Sequence, residues 1–310
     1  MPQLVITEYM DDVAVAELQQ SFDLVYDPQL VDDRPQLIEL LKDAEGLVVR
    51  NRTQVTADLL DAGPNLKVIG RLGVGLDNID LKAAADRGIA VCPAEGANAD
   101  SVAEYVIATA LHLLRPVYAS TQAMIAGDFP RAQLSHGREI QNKTLTLIGG
   151  GVIGQAVMRR AETMGMSILI VDPQFELGIT RDGAEVVTME DGLKQGDVIT
   201  LHVPLNKATQ NLMDTKALAM MKPSAILINT ARGGVVDHDA LADALSKNCL
   251  AGAAIDVFPN EPASQQDLKM FAGLDNIILT PHIAGLTVEA NGRVGTITAH
   301  NIRRHLEPSS

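Results

Sequence analysis

Residues 145–161 read LTLIGGGVIGQAVMRRA, an apolar run, three consecutive glycines and a stretch with helical spacing. Gly149, Gly151 and Gly154 match G-x-G-x-x-G, and Gly150 is a surplus glycine in the first gap. Alone the pattern is weak, because glycine-rich corners between a strand and a helix are common. Its context strengthens it. LTLIG (145–149) precedes it as a strand, and GQAVMRRAETMG (154–165) follows as a helix. In that order backbone N–H groups and the positive helix end face a pyrophosphate. The next strand, SILIVD (167–172), ends in Asp172, which lies 172 − 151 = 21 residues after the second glycine. An acid at that distance accepts hydrogen bonds from ribose hydroxyls and repels a 2′-phosphate, favouring NAD over NADP. A methyltransferase also pairs a glycine loop with a strand-end acid, but it holds no pyrophosphate and does not need the third glycine.

Outward from this stretch, short β-branched runs alternate with amphipathic helical segments, the pattern of parallel sheets covered by helices. In the first hundred residues the strand candidates are LVIT (4–7), FDLVY (22–26), GLVVR (46–50), LKVIG (66–70) and GIAVC (88–92). Beyond SILIVD they are DVITLHV (197–203), AILINT (225–230), AGAAIDV (251–257) and NIILT (276–280). The fold class expected is α/β with two doubly wound parallel-sheet domains. SVAEYVIATALHLL (101–114) predicts a mostly buried helix, with Ser101 and Glu104 at capping-box spacing. A second helix is expected over 286–306, and its return to the first domain would make that domain discontinuous. The expected plan is residues 1–98 plus 287–310 as one domain and 99–286 as the other.

The composition fits this plan. A chain of 310 residues accommodates two ordinary domains. The formal charge of −14 argues against nucleic acid or an anionic membrane as partner, since both need a basic surface. It favours solubility, and a saline habitat is a second source of such charge. The start, MPQLVITEYM, has no basic n-region, and no apolar run approaches the roughly 18 to 20 residues that span a bilayer. Cys92 and Cys249 form no metal-ligand spacing and fit a reducing cytoplasm. No metal is expected.

Ligands of open α/β sheets bind outside the carboxyl ends of the strands, and polar residues collect there. AILINT runs into Ala231-Arg232-Gly233-Gly234, AGAAIDV into Phe258-Pro259-Asn260-Glu261, and NIILT into Pro281-His282. Arg232 offers a planar fork for a carboxylate. His282 can deliver or remove a proton near neutral pH. Glu261 can bond the imidazole, fix its tautomer and favour its charged form. Spacing by itself does not bring the three together.

The motifs GGGVIG…VDP, HVPLNKATQNLM, LINTARGGVVDHDAL, AGAAIDVFPNEP and TPHIAG occur here in order. With them the chain resembles the D-isomer-specific 2-hydroxyacid dehydrogenases over essentially its whole length, since LKVIGRLGVGLDNID and AEYVIATAL also fit. That family includes 3-phosphoglycerate dehydrogenases, hydroxypyruvate and glyoxylate reductases and sulfolactate dehydrogenases. The resemblance implies an NAD-binding Rossmann domain, a flavodoxin-like substrate domain, and Arg232, Glu261 and His282 as catalytic residues. It places NAD at Gly149, Gly151, Val152, Ile153, Gly154, Asp172, Val203, Pro204, Thr230, Ala231 and Asp256. A glutamate at 261 separates the chain from related formate dehydrogenases, which use glutamine. The usual family loop reads G-L-G or G-F-G, so the G-G-G here is expected to loosen the turn. The chain stops soon after the second long helix, so no C-terminal regulatory domain is expected. Family members pair through the cofactor domain, which implies a homodimer along the 101–125 segment.

The resemblance puts the substrate carboxylate at Gly73-Val74-Gly75, whose N–H groups suit an anion nest. In phosphoglycerate dehydrogenases, arginines at positions matching Arg50 and Arg71 meet the substrate phosphate. A substrate with a second anion, phosphate or sulfonate, is therefore expected, and solvated loop arginines are the alternative. A hydroxypyruvate or glyoxylate reductase is the runner-up. Some relatives act as NADH-responsive corepressors, a third possibility. Among the other histidines, His112 is expected to be partly buried and His202 to line the adenine side. His136, His238, His300 and His305 are expected on the surface.

Overall fold

The computed structural model describes residues 1–178, 180, 181 and 183–307. The chain divides into two compact units, Met1–Asn98 with Leu286–Ser310, and Ala99–Gly285. Each is a parallel sheet covered by helices.

The first unit holds β1 (Gln3–Ile6), β2 (Asp23–Tyr26), β3 (Ala44–Val49), β4 (Val68–Arg71) and β5 (Ala90–Pro93), in the order β2-β1-β3-β4-β5. All its pairs are parallel. The order reverses between β1 and β3, and the carboxyl ends of strands flanking such a switch point form the binding edge of this topology. The helix Val288–Leu306 returns from the far end of the chain to cover this sheet. Glycines admit it. A Cβ on Gly70 of β4 would lie 2.9 Å from Thr298 Cγ2, and one on Gly295 would lie 2.9 Å from Ala14 Cβ. Small residues therefore set the distance at which the last helix meets sheet and first helix.

The second unit holds β6 (Thr144–Ile148), β7 (Ser167–Val171), β8 (Thr180–Arg181), β9 (Ala184–Val186), β10 (Val198–Leu201), β11 (Ile226–Asn229), β12 (Gly252–Ile255) and β13 (Ile277–Leu279). Their order is β13-β12-β11-β10-β6-β7-β9-β8, parallel except for the β8–β9 pair at the edge. This is the Rossmann order with two further strands, β13 at one edge and β8 at the other, and its switch point lies between β6 and β10. β6, β10, β11 and β12 are buried almost throughout, as strands covered on both faces must be.

Two sequence-based expectations change. β8 and β9 were not among the strand candidates, because two or three residues such as Ala184-Glu185-Val186 are too short to show a period. The long buried helix begins at Ala99, so Ser101 is buried inside its first turn and does not precede it. Glu104 instead lies 3.4 Å from Arg160 in the helix that follows the glycines. Among the described residues no helix is long and apolar enough to cross a membrane.

Candidate active site

The glycine loop opens at the end of β6. Gly149 has φ +105°, and a Cβ there would sit 2.4 Å from the His202 carbonyl oxygen. A Cβ on Gly154 would lie 2.3 Å from the Gly149 carbonyl oxygen. Strand end, loop and helix thus pack backbone to backbone, and any side chain at either position would push them apart. Gly151 has nothing within 4 Å of its Cβ position and stands at the N-cap of the helix Val152–Thr163. The first N–H groups of that helix, beginning at Val152 and Ile153, have no intrahelical acceptor and face outward beside the positive helix end.

Asp172, just past β7, binds the same loop. Its Oδ2 accepts the Gly150 N–H at 2.8 Å and its Oδ1 accepts the Gln174 N–H at 2.9 Å. Each carboxylate oxygen keeps a second lone pair for a ribose hydroxyl. Val203 closes the loop from the β10 side, with its Cγ1 3.2 Å from the Cβ position of Gly149, and Pro204 next to it is exposed. Thr230 Oγ1 is buried without a hydrogen-bond partner among the described residues, a group that calls for a polar ligand. Open space at Gly151, an exposed helix start, an acid at the second strand and an orphaned hydroxyl fit NAD.

Three strand ends further along the sheet lead to Arg232, Glu261 and His282. After β11 the buried Asn229 side chain shapes the Ala231–Arg232 turn, accepting the Ala231 N–H at 3.0 Å and donating to the Arg232 carbonyl at 3.0 Å. Arg232 Nη1 reaches the Ala231 carbonyl at 2.6 Å. A Cβ on Gly233 would lie 2.0 Å from the Phe258 carbonyl carbon, so this turn lies directly on the loop that follows β12. In that loop Glu261 Oε1 accepts the Phe258 N–H at 2.9 Å, and Oε2 lies 2.6 Å from His282 Nδ1. Burial alone would raise the Glu261 carboxyl, but the His282 and Phe258 bonds and the nearby His282 and Arg232 charges hold it below the usual range. A carboxylate only accepts, so Nδ1 carries the proton toward Glu261 and Nε2 is the ring atom left for a substrate.

His282 takes φ +55°, a left-handed conformation that non-glycine residues seldom adopt. Asp256, 1% exposed, holds it there. Its carbonyl accepts the His282 N–H at 2.7 Å, Oδ1 accepts the Ile283 N–H at 2.9 Å and Oδ2 the Ala284 N–H at 2.9 Å.

In the first unit, Arg50 follows β3 and Arg71 ends β4. Buried Glu8 organises the loop after β3, with Oε1 accepting the N–H groups of Arg50 (2.9 Å) and Thr53 (3.0 Å) and Oε2 that of Arg52 (3.1 Å). Asn78 Nδ2 donates to the Arg50 and Thr53 carbonyls at 3.2 and 2.7 Å. The Arg50 guanidinium reaches Asn291 Oδ1 at 2.9 Å and the Tyr9 carbonyl at 3.4 Å. Arg71 Nη1 donates to the Leu72 carbonyl at 2.8 Å and would lie 1.6 Å from a Cβ on Gly73, whose φ is +142°. Gly73 is thus required both by its backbone and by the arginine lying over it, while Val74 and Gly75 complete the loop on its exposed side.

The chain is similar to known proteins. Residues 107–284 match the family model described as D-isomer specific 2-hydroxyacid dehydrogenase, NAD binding domain. The chain is 44% identical to the (S)-sulfolactate dehydrogenase of Chromohalobacter salexigens, covering 99% of each. It is 38% identical to the hydroxypyruvate reductase of Thermotoga maritima, covering 88% of this chain and 89% of that protein. The crystal structure of D-lactate dehydrogenase from Aquifex aeolicus, complexed with NAD and lactic acid, superposes with a TM-score of 0.80 at 29% identity over 97% of this chain and 94% of that one. The chain belongs to the D-isomer specific 2-hydroxyacid dehydrogenase family. It is an NAD-dependent oxidoreductase of 2-hydroxy acids.

Sequence reading of this dehydrogenase missed Asn229, Glu8 and Asn78, which meet no ligand-like motif and act by bonding backbone across several to several dozen residues. It also misplaced His238. That residue is 8% exposed, with its ring against Phe258 (6.0 Å) and Phe271 (5.6 Å), because it opens a helix whose apolar face turns inward. His202 bonds Thr200 Oγ1 at 3.0 Å, and burial pushes its imidazole down to about 3, so it stays neutral. His112 stacks on Tyr118.

The family loop's missing middle side chain does not leave a gap. A Cβ on Gly150 would meet Phe175 Cε2 at 2.5 Å and Ile170 Cγ2 at 3.2 Å. The Phe175 ring, three residues past Asp172, fills the space, so the expected loosening of the turn gives way to packing from a different segment. Gly150→Leu should therefore raise the NADH dissociation constant about tenfold, in line with ordinary overpacking. Adding Phe175→Ala should recover most of that loss. Fluorescence titration with NADH measures both, and wild-type affinity in Gly150→Leu would show that the ring does not claim this space.

Proposed function

We propose that this dehydrogenase interconverts a D-configured 2-hydroxy acid bearing a second anionic group, of the sulfolactate or 3-phosphoglycerate kind, with its 2-oxo acid. The observation carrying the acid–base assignment is the 2.6 Å contact between Glu261 Oε2 and His282 Nδ1 beside the Arg232 turn. The second anion rests on the two arginines at adjacent strand ends of the first unit, which makes that unit the substrate domain. Full-length similarity to a sulfolactate dehydrogenase supports it.

Bound NADH supplies the hydride that reduces the 2-oxo carbon. His282 delivers a proton from Nε2 to the carbonyl oxygen as negative charge gathers on it, and takes one from the hydroxyl in the reverse direction. Glu261 keeps Nδ1 protonated and the ring aimed, and its charge favours the imidazolium that must form. Arg232 pairs with the substrate carboxylate and polarises the neighbouring carbonyl. On the first unit, the N–H groups of Gly73-Val74-Gly75 suit a substrate carboxylate, and Arg50 and Arg71 suit a further anion. Gly149–Gly154 with Val152 and Ile153 hold the pyrophosphate, Asp172 the ribose, Val203, Pro204, Thr230 and Ala231 the intervening cofactor surface, and Asp256 the nicotinamide amide.

A hydroxypyruvate or glyoxylate reductase is the second reading. One observation favours it: Arg50 and Arg71 both donate to acceptors within the protein, at Asn291, Tyr9 and Leu72. We also infer a homodimer through the NAD-binding unit, working in the cytoplasm. Leu111, Tyr118, Met124, Ile125 and Phe129 are exposed within nineteen consecutive residues of that unit, an apolar surface that a second copy would cover.

His282→Ala should lose about 100- to 10,000-fold in turnover with NADH affinity kept, as expected on removing a general acid. Near-normal turnover would overturn the assignment. The depressed Glu261 carboxyl stays ionised through the ordinary carboxylate range, and its contribution disappears only as pH falls through its folded value. It therefore adds no inflection between about pH 5 and 8, the window of histidine titration. Glu261→Gln should move the pH–rate profile for reduction to lower pH, because the amide no longer favours the charged imidazole. An unmoved profile would remove its tuning role. NADH oxidation with glyoxylate, pyruvate, hydroxypyruvate, phosphohydroxypyruvate and sulfopyruvate tests the substrate. Fast turnover confined to the dianions, with KM raised in Arg50→Ala and Arg71→Ala, is expected. Preference for hydroxypyruvate would select the second reading, and NADH binding without turnover would point to a sensor. Light scattering should give twice the 33.0 kDa chain mass, and a monomer would remove the dimer.

A further inference from the structure

The turn holding His282 has a support outside the strand ends. Tyr105 lies midway along the helix Ala99–Leu114, and its phenol oxygen is 2.7 Å from Thr280 Oγ1. The same Thr280 hydroxyl donates to Asp256 Oδ1 at 2.6 Å. A threonine has one hydroxyl proton, and Asp256 Oδ1 takes it, so the phenol donates to Thr280. The direction of the chain is therefore settled: Tyr105 O–H to Thr280, Thr280 O–H to Asp256. Thr109, one helical turn on, brings a second hydroxyl near the phenol. Asp256 Oδ1 also accepts the Ile283 N–H, so the chain ends on the residue beside His282.

We propose that Tyr105 is a positioning residue for the acid–base histidine, acting through Thr280 and the Asp256 carboxylate to hold His282 in its left-handed turn. This rests on the assignment of His282 as proton donor made above. The physical case is one of constraint. The φ +55° backbone at His282 costs free energy that the surrounding bonds must offset. Asp256 supplies those bonds only while its own oxygens stay in place. Thr280 fixes one oxygen, and its hydroxyl keeps that direction because Tyr105 occupies its lone pair. Burial pushes the Tyr105 phenol up, against the opposing Thr280 bond, so it remains a donor throughout the working range. Hydrogen bonds in series also polarise one another, which strengthens the middle link. Removing the phenol proton frees the threonine rotor, relaxes the carboxylate and lets the imidazole swing. Tyr105 bonds Thr280 and not the glycine loop, so turnover should suffer more than cofactor binding, which reaches this chain only through Asp256.

The test compares Tyr105→Phe, Thr280→Val, Thr280→Ser, the Tyr105→Phe/Thr280→Val double variant and His282→Ala, using the fastest 2-oxo acid of the panel. Tyr105→Phe and Thr280→Val should each lower kcat about fivefold, the factor carried by a buried neutral hydrogen bond of ordinary strength. KM should stay at its wild-type value, and the NADH dissociation constant should change by less than kcat does. The solvent deuterium isotope effect on kcat should rise, because a misaimed imidazole makes proton delivery slower. A structural role elsewhere in the helix would not move that readout. The double variant should be no worse than the worse single variant, as expected for one chain. Thr280→Ser, which keeps the hydroxyl, should stay well above Thr280→Val. Wild-type kcat in Tyr105→Phe, or a loss confined to KM, overturns the tether. If His282→Ala is inactive while Tyr105→Phe is unaffected, the tether alone fails. Full turnover in His282→Ala instead removes the underlying assignment.

Discussion

The Asp256 carboxyl group, at the carboxyl end of β12, is buried where an unpaired oxygen would cost several kcal/mol. It meets that demand with the backbone N–H groups of Ile283 and Ala284 and the hydroxyl of Thr280. In doing so it wraps the segment after β13 around itself. His282 is the residue inside that wrap, and its left-handed backbone follows from it. The imidazole is then met by Glu261, which the Phe258 N–H holds from the other side. A polar group buried for its own satisfaction thus decides where the imidazole sits.

Glycine performs a second kind of positioning. At Gly149, Gly154 and Gly233 the backbone of one segment touches the backbone of another, closer than any side chain would permit. The first draws the glycine loop against the end of β10, and the second packs the helix start on that loop. The third lays the Arg232 turn on the Phe258 loop. Parallel strands buried on both faces give these turns a rigid base, because each strand end is fixed by neighbours on either side. The first unit uses a carboxylate for the same purpose: Glu8 gathers three N–H groups of the loop bearing Arg50 and Arg52. In both units an acid at a strand end shapes a loop that carries a basic side chain.

Departures from the family pattern follow the same logic. Gly150 omits the side chain that the family resemblance leads one to expect, and Phe175 occupies that volume from beyond the next strand. The two positions therefore form one packing unit across a sheet edge, and neither can be judged alone. His238 shows the converse. Its flanking aspartates, Asp237 and Asp239, give it a polar local context, yet the helix it opens turns it onto Phe258 and Phe271.

What the sequence determined by itself was whatever depends on near neighbours. Runs of β-branched residues specify strands, three spaced glycines between strand and helix specify a phosphate-binding corner, and Asp172 follows at the distance one strand–helix–strand unit imposes. The positions of Arg232, Glu261 and His282 just past strand ends were legible for the same reason. What only the tertiary structure decided was contact between segments far apart in the chain. β8 and β9 exist through pairing, not through local preference. Ser101 lies inside the long helix and not ahead of it, because the helix starts earlier, at Ala99. The 2.6 Å Glu261–His282 contact, the Phe175 ring over Gly150 and the Tyr105–Thr280 bond span 21, 25 and 175 residues. Spacing cannot encode such contacts, because they arise only when folded sheets bring separate strand ends and helix faces to one place.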